Sequence, residues 1–330
     1  MPRPGARNLI TDVTGLLVGH AVDERAQTGA TVLLCAAHWP AGVDVRGGGP
    51  GVRESEVLKP ENLVGRAHAI VLSGGSVFGL AAADGVTSVL STRGIGLHLR
   101  PGSLAVPIVP CAVLHDLANG GDKDWGNTPP YRELGMLAAQ AAGPDPQIGS
   151  VGAGRGAMAG LVKGGIGSAS IDLGEGLIVG ALAAVNAVGS AIMPDGKSYW
   201  AWPFELDREF GGAAPPGRSM DLSDPIPDES RLAQIGRLQA GANTTLGVIA
   251  CTADLTTAEC KRIAMMAHDG IARAVRPAHT PFDGDTVFAL ASAAIGLESG
   301  PARPAALGRI GSAGADCLSR AIARAVHYAR

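Results

Sequence analysis

The 330 residues carry a formal charge of −3, with 46% hydrophobic, 17% charged and only 4% aromatic side chains. Such a chain has no basic footprint for nucleic acid and no charge block or basic amphipathic helix for a membrane surface. Its apolar runs are all interrupted well short of bilayer length, and its 48 glycines suit a globular protein whose backbones approach closely.

The five cysteines (Cys35, Cys111, Cys251, Cys260 and Cys317) are odd in number and lie mostly inside apolar runs, so they read as reduced, buried thiols of a cytoplasmic protein. None has zinc-ligand spacing and no His-Glu-x-x-His occurs, so neither metal nor cofactor is expected. The first eight residues lack the apolar core of a signal peptide.

In chain order, residues 8–20 read as two short strands about a Thr-Gly turn, and residues 28–35 as a third strand. Residues 42–53 form a Gly-rich loop carrying Asp44, Arg46 and Arg53. A strand over 68–72 runs into Ser73-Gly74-Gly75-Ser76 and a helix to about residue 91, with Ser76 as its N-cap. The turn has neither dinucleotide nor Walker spacing, so it is either a tight strand-to-helix turn or one wall of a substrate cleft. Residues 105–114 are apolar but hold two prolines, which assigns them to a sheet edge or outside a sheet. Residues 118–131 are polar and turn-rich, as in a loop beside a site or an interface, and a helix follows over about 132–142.

Two passages brush against nucleotide motifs and fail. No strand precedes Gly152-Ala153-Gly154-Arg155-Gly156-Ala157, and the glycine that Asp195-Gly196-Lys197-Ser198 would need upstream is Ala191. Residues 158–173 and 177–193 read as long strands joined by a Gly174-Glu175-Gly176 hairpin. Residues 194–228, rich in Pro, Gly, Ser, Asp and Arg without apolar periodicity, read as a mobile linker. After it come a strand from Thr244 to about Thr252 and a helix opened by the capping box Thr256-Thr257-Ala258-Glu259 and closed by Pro277. An Asp283-Gly284-Asp285 turn leads into a strand over 286–290, and a last helix covers about 305–328. The chain has no internal repeat.

Paired threonines at the mouth of a strand are ordinarily β-formers. Thr244 reads differently if the Asn243–Thr244 bond is cut. It then carries a hydroxyl nucleophile together with an α-amine able to serve as its base, with a pKa of about 7.7–8.0. Asp283 and Asp285 can both point at that terminus, or simply shape a turn. Asn186 and Lys163 are polar side chains inside apolar runs. Each is a candidate for stabilising an oxyanion, or a satisfied strand residue. His268 and Asp269 read as a structural pair, and no Gly-x-Ser-x-Gly is present.

The passages Ile10-Thr11-Asp12-Val13, Val43-Asp44-Val45-Arg46-Gly47-Gly48, His68-Ala69-Ile70-Val71-Leu72-Ser73-Gly74-Gly75-Ser76, Asn243-Thr244-Thr245-Leu246-Gly247, Met266-Ala267-His268-Asp269-Gly270 and Asp283-Gly284-Asp285-Thr286-Val287-Phe288 span nearly the whole chain. Together and in this order they resemble the DmpA-type peptidases, the family of the nylon-oligomer hydrolase NylC and the β-peptidyl aminopeptidases. The resemblance implies an α/β (α+β) fold, an αββα sandwich resembling N-terminal-nucleophile hydrolases with its own connectivity. It also implies a single domain, 1–330, that cuts itself into residues 1–243 and 244–330 and assembles as a homotetramer of the cut heterodimers.

Carried over by residue, Thr244 matches the nucleophile and Asp283 and Asp285 the acidic pair. Lys163 and Asn186 match the supporting lysine and the oxyanion-side asparagine, and Tyr131 an active-site tyrosine. The aminopeptidase branch instead has a Ser nucleophile, a Ser/Glu pair and an acidic Glu-Thr loop, so the resemblance leans to the nylon-hydrolase branch. The expected function is a cofactor-free, self-processing hydrolase of short peptides or oligoamides. The alternatives are an acyltransferase of the ornithine acetyltransferase kind and an uncut small-molecule-binding protein with an anion at the Gly47 and Gly74 loops.

Overall fold

The computed structural model describes residues 3–217, 224–233 and 243–330. The fold is built about β2 (Thr28–Val45), an 18-residue strand that serves two sheets. Its first part pairs with β1 (Leu16–Asp23) and β4 (Arg66–Ser73), beyond which lie β5 (Cys111–Val113) and β3 (Gly51–Arg53). Its last five residues pair with β11 (Thr286–Ile295), and that sheet continues through β10 (Thr244–Ala253), β9 (Ile178–Asn186) and β8 (Gly165–Asp172).

Three apolar clusters hold four layers together. One lies between the sheets, with Leu33, Ile70, Leu182, Leu246, Val248 and Phe288 among its members. A second packs α1 (Ala82–Thr92) and α2 (Tyr131–Gln140) onto the β2–β4 sheet. The third packs α3 (Thr257–Ala274) and α4 (Ala302–Tyr328) onto β8–β11. This is the expected αββα sandwich. Strand β10 shows why its sequence is apolar throughout: Leu246, Val248 and Ala250 face the other sheet, while Ile249 and Cys251 face the helices. All five cysteines are free and buried, and no helix among the described residues is long and apolar enough to cross a membrane.

Several sequence expectations need correcting. The first of the two strands over 8–20 is a 3-10 turn, Ile10–Asp12. The Asp12 carboxylate accepts from the Arg7 and Leu9 amides at 2.9 and 3.3 Å, and such local bonding competes with a ladder. The loop over 42–53 begins as the end of β2 and ends as β3. Gly42 pairs with Ala289 in the strand, and it has to be glycine because a Cβ there would lie 2.3 Å from the Lys261 nitrogen, so β2 and α3 touch backbone to backbone. Ser76 caps nothing by its side chain: it sits at φ +52° and starts a 3-10 segment, Ser76–Ala81, that precedes α1. Residues 105–110, with both prolines, lie outside the strands as expected, but β5, which follows them, lies between β3 and β4 instead of at the edge. Residues 158–163 form a separate small hairpin, β6 (Met158–Ala159) with β7 (Val162–Lys163), and β9 ends at Asn186. The Gly174–Gly176 turn does join β8 to β9.

The mobile-linker reading of 194–228 fails over 194–217. Tyr199 and Phe210 are core residues, and Glu209 meets the buried Arg320 of α4 at 2.5 Å, their side chains 6% and 1% exposed. A polar composition concealed three anchors. Of the rest of that reading, residues 218–223 lie outside the described residues, and residues 224–228 form bends and a turn in which the Asp224 carbonyl accepts from Arg276 at 2.9 Å.

Candidate active site

Strand pairing alone assembles the site. The parallel register Leu246↔Thr286 brings the residues leading into β11 beside those leading into β10. Asn243 accordingly bridges to Asp283, and the Gly284 amide donates to the Asn243 carbonyl at 2.9 Å. On the other side, the antiparallel register Thr244↔Asn186 places Asn186 directly across from Thr244. Asn186, Asn243, Thr244, Asp283 and Asp285 are all at most 2% exposed.

The Thr244 hydroxyl lies against the peptide it would have to attack, donating to the Asn243 carbonyl oxygen at 2.5 Å. Gly284 must be glycine here. A Cβ on it would stand 2.6 Å from Thr244 Oγ1 and 3.0 Å from the Gly49 carbonyl oxygen. The Asn243 carbonyl therefore has a backbone N–H on it before any reaction, as an oxyanion hole requires.

Asp285 accepts from the Thr245 amide at 2.7 Å through Oδ1, and through Oδ2 from the His279 amide and Nδ1 at 3.1 and 2.8 Å. Asp283 accepts from the Val188 amide at 3.3 Å and from the Thr280 amide and hydroxyl at 2.9 and 2.7 Å. Burial pushes the Asp283 carboxyl up to about 6, helped by the charge of Asp285 and resisted by its Thr280 and Val188 hydrogen bonds. For His279, burial opposes the charged form, but the hydrogen bond to Asp285 and its charge outweigh it, so the imidazole is raised. The Gly-rich loop after β2 fixes this turn from outside: Arg46 and Gly49 amides donate to the Asp285 and Asp283 carbonyls at 2.9 and 2.8 Å. A Cβ at Gly47 would stand 2.4 Å from both the Asp283 oxygen and the Asp285 nitrogen.

Asn186 is held by a polar frame of its own. Its Oδ1 accepts from Asn119 Nδ2 at 3.1 Å and the Met158 amide at 3.0 Å, and its Nδ2 donates to the His115 carbonyl at 3.0 Å. Beside this frame opens a cleft of about 400 Å³, lined by Val52, Val77, Leu80, Val113 and Leu114 with Ser76 and His115. Its wall includes Gly49 and Pro50, the same residues that crowd Gly284, so the cleft ends next to Thr244.

Of the residues expected from the sequence, the structure gathers Asn243, Thr244, Asp283, Asp285 and Asn186, and puts Ser76 on the cleft wall. Lys163 is not in that group: it is exposed on the small β6–β7 hairpin. Tyr131 is fully buried at the start of α2, its hydroxyl donating to Thr28 Oγ1 at 3.4 Å. Burial pushes that phenol well up, and it touches the buried Thr28–Asp116 pair rather than Thr244. His268 packs against His279 with its Nε2 3.0 Å from the Asp44 carbonyl, so Asp269 is not its partner. Sequence reasoning missed His279, Asn119 and the Gly284 amide. Only Asn119 had a signal, its place in the turn-rich stretch already assigned to a loop beside a site.

Among solved structures, the chain superposes on a β-aminopeptidase of Burkholderia sp. with a TM-score of 0.70 at 22% identity, over 98% of this chain and 88% of that one. It superposes equally on the L-aminopeptidase D-Ala-esterase/amidase of Ochrobactrum anthropi, described as a variant of the Ntn hydrolase fold (TM-score 0.69, 19% identity, 98% and 86% covered). That likeness defines the class by fold, an Ntn-hydrolase-like sandwich. In sequence, the chain is 45% identical over 334 residues to an uncharacterised aminopeptidase of Mycobacterium tuberculosis (strain ATCC 25618 / H37Rv), covering 96% of this chain and 92% of the relative. It is 30% identical over 305 residues to the 6-aminohexanoate-oligomer endohydrolase of Kocuria sp. (strain KY2), covering 90% and 78%. Residues 8–330 match Peptidase family S58, and the chain belongs to that family of amide-bond hydrolases.

Proposed function

We propose that the chain cuts itself between Asn243 and Thr244 and that the freed Thr244 is the nucleophile of an amide hydrolase. The observation that carries this reading is the Thr244 hydroxyl lying 2.5 Å from the Asn243 carbonyl oxygen while the Gly284 amide donates to the same oxygen. After the cut, the new amine takes the hydroxyl proton as Thr244 Oγ1 adds to a substrate carbonyl, then returns it to the leaving nitrogen. Asp283 and Asp285 hold the new ammonium and the strand mouth. The Gly284 amide and the Asn186 frame face the developing oxyanion, and water releases the acyl group. Lys163, exposed on the β6–β7 hairpin, is given no step in this proposal.

The cleft supports a substrate with an uncharged aliphatic or aromatic flank: among the described residues that line it, none is a carboxylate that could receive a free ammonium. The relatives named aminopeptidases support a second reading, removal of an N-terminal residue. Hydrolysis rates of one amide with its amine free and acylated separate the two. The exposed side chains of Leu99 and Leu104, 81% and 75% accessible, support a tetramer of cut heterodimers that covers them. The five free thiols support a cytoplasmic setting. Thr244→Ala tests the core of the reading: it should yield an intact 330-residue chain without amidase activity, and normal cutting of that variant would mean the nucleophile is another residue.

A further inference from the structure

On the self-cleavage reading Asn243 supplies the carbonyl that is attacked, and its side chain is held by a contact of its own. Arg231, twelve positions earlier, donates from NH1 to Asn243 Oδ1 at 2.6 Å. The arginine is in turn fixed from two directions, its amide donating to the Val188 carbonyl at 2.8 Å and its Nε to the Gly160 carbonyl at 3.1 Å. Both anchors belong to the site's frame. The Val188 amide donates to Asp283, and the Gly160 amide to the carbonyl of Ala187, the residue after Asn186. A Cβ on Gly160 would stand 2.3 Å from the Glu229 carbonyl oxygen, so the segment carrying Arg231 lies tight against that turn.

A guanidinium only donates, so it fixes which face of the Asn243 amide points toward it. Burial draws the Arg231 group down only to about 10, and it remains a cation at neutral pH. Asn243 is fully buried, and its Nδ2 finds no partner among the described residues, so Arg231 makes the side chain's one directional bond there.

We propose that Arg231 is a positioning residue for self-cleavage, clamping the Asn243 side chain so that its carbonyl stays between the Thr244 hydroxyl and the Gly284 amide. The inference rests on the self-cleavage reading above. In that step a bond forms from Thr244 Oγ1 to the Asn243 carbonyl carbon and the bond from that carbon to the Thr244 nitrogen breaks. The hydroxyl proton passes to the nitrogen, leaving an ester and a free amine. Water then opens the ester, giving the Asn243 carboxylic acid and restoring the hydroxyl. Arg231 takes no proton and makes no bond. It removes the side-chain freedom that would let the carbonyl turn away, and misplacement by about 1 Å can cost a hundredfold in rate.

The test is a time course of cutting in freshly synthesised full-length chain, read by intact mass, for wild type, Arg231→Ala, Arg231→Lys, Asn243→Ala and the Arg231→Ala/Asn243→Ala double variant. Each alanine variant should cut about ten- to a hundredfold more slowly. Arg231→Lys should be slowed less, and the double variant no more than the slower single, because both remove one contact. Arg231→Ala cutting at the wild-type rate, or a double variant slowed by the product of the two, would overturn the clamp. Should Arg231→Ala fail to fold, Asn243→Ala and Arg231→Lys decide it alone: slow cutting in both supports the clamp, wild-type rates in both refute it. A wild-type chain that never cuts refutes the self-cleavage reading itself, a separate outcome.

Discussion

Two buried charge clusters in this molecule are built on opposite principles. At α4, Arg320 meets Glu209 at 2.5 Å, with Asn8 Oδ1 and the Ser170 carbonyl at 2.7 and 2.8 Å completing its shell. At the mouth of β10, Asp283 and Asp285 are both 1% exposed, and among the described residues neither pairs with a lysine or arginine. Backbone amides, Thr280 and His279 hold them instead. The first cluster sets a carboxylate between two buried arginines, Arg320 and, at 3.6 Å, Arg324, and so pins a segment that looks like a linker. The second leaves two like charges short of a cation, and on the proposed chemistry the missing cation is the ammonium that self-cleavage creates at Thr244.

The largest expected effect tests the structural half of that contrast. Glu209→Ala strands Arg320 and Arg324 as uncompensated buried charges and should lower stability by about 3–5 kcal/mol, read as a lower denaturation midpoint, while the folded fraction still cuts itself. Asp285→Asn tests the other half. It should slow cutting and hydrolysis by about 10²–10³-fold, the cost typical of losing one preorganised electrostatic group, without a matching loss of stability, because it also relieves like-charge repulsion.

The pH response follows from Asp283. Its carboxyl is raised from 3.8 to about 6, so the folded chain holds that proton more tightly than the unfolded chain does. This group's contribution to stability is therefore fully present below 3.8 and is lost as the pH rises through about 6. The buried His20, His68 and His268, lowered to about 4, give the opposite slope over the same range, so the Asp283 share is read as a difference. Relative to the same chain carrying Asp283→Asn, the uncut Thr244→Ala chain should lose stability between pH 4 and pH 7, and the cut enzyme, with an ammonium beside the pair, should show less of that difference. The smallest effect belongs to His279. His279→Gln keeps a donor for Asp285 and should slow hydrolysis only a few-fold, since a hydrogen bond contributes about 1 kcal/mol; a drop as large as that of Asp285→Asn would make the imidazole part of the chemistry.

The pattern of legibility has physical causes. The capping box of α3 and the glycine hairpin between β8 and β9 were readable because local backbone chemistry decides them. Thr244 with its two aspartates was readable because all three sit at strand mouths in a recognisable order. The surroundings of Lys163 and Tyr131, and the whole contribution of His279, were not legible, since where each side chain goes depends on pairing between distant segments. A composition that looks like linker hid Tyr199, Glu209 and Phe210, because burial there depends on α4, more than a hundred residues further along the chain.

The central claim is a broken bond at one position. N-terminal sequencing and intact mass of the purified wild-type protein measure it directly. Two chains are expected, residues 1–243 and 244–330, the smaller beginning Thr-Thr-Leu-Gly-Val. A single uncut chain of 330 residues that nevertheless hydrolyses amides would contradict it.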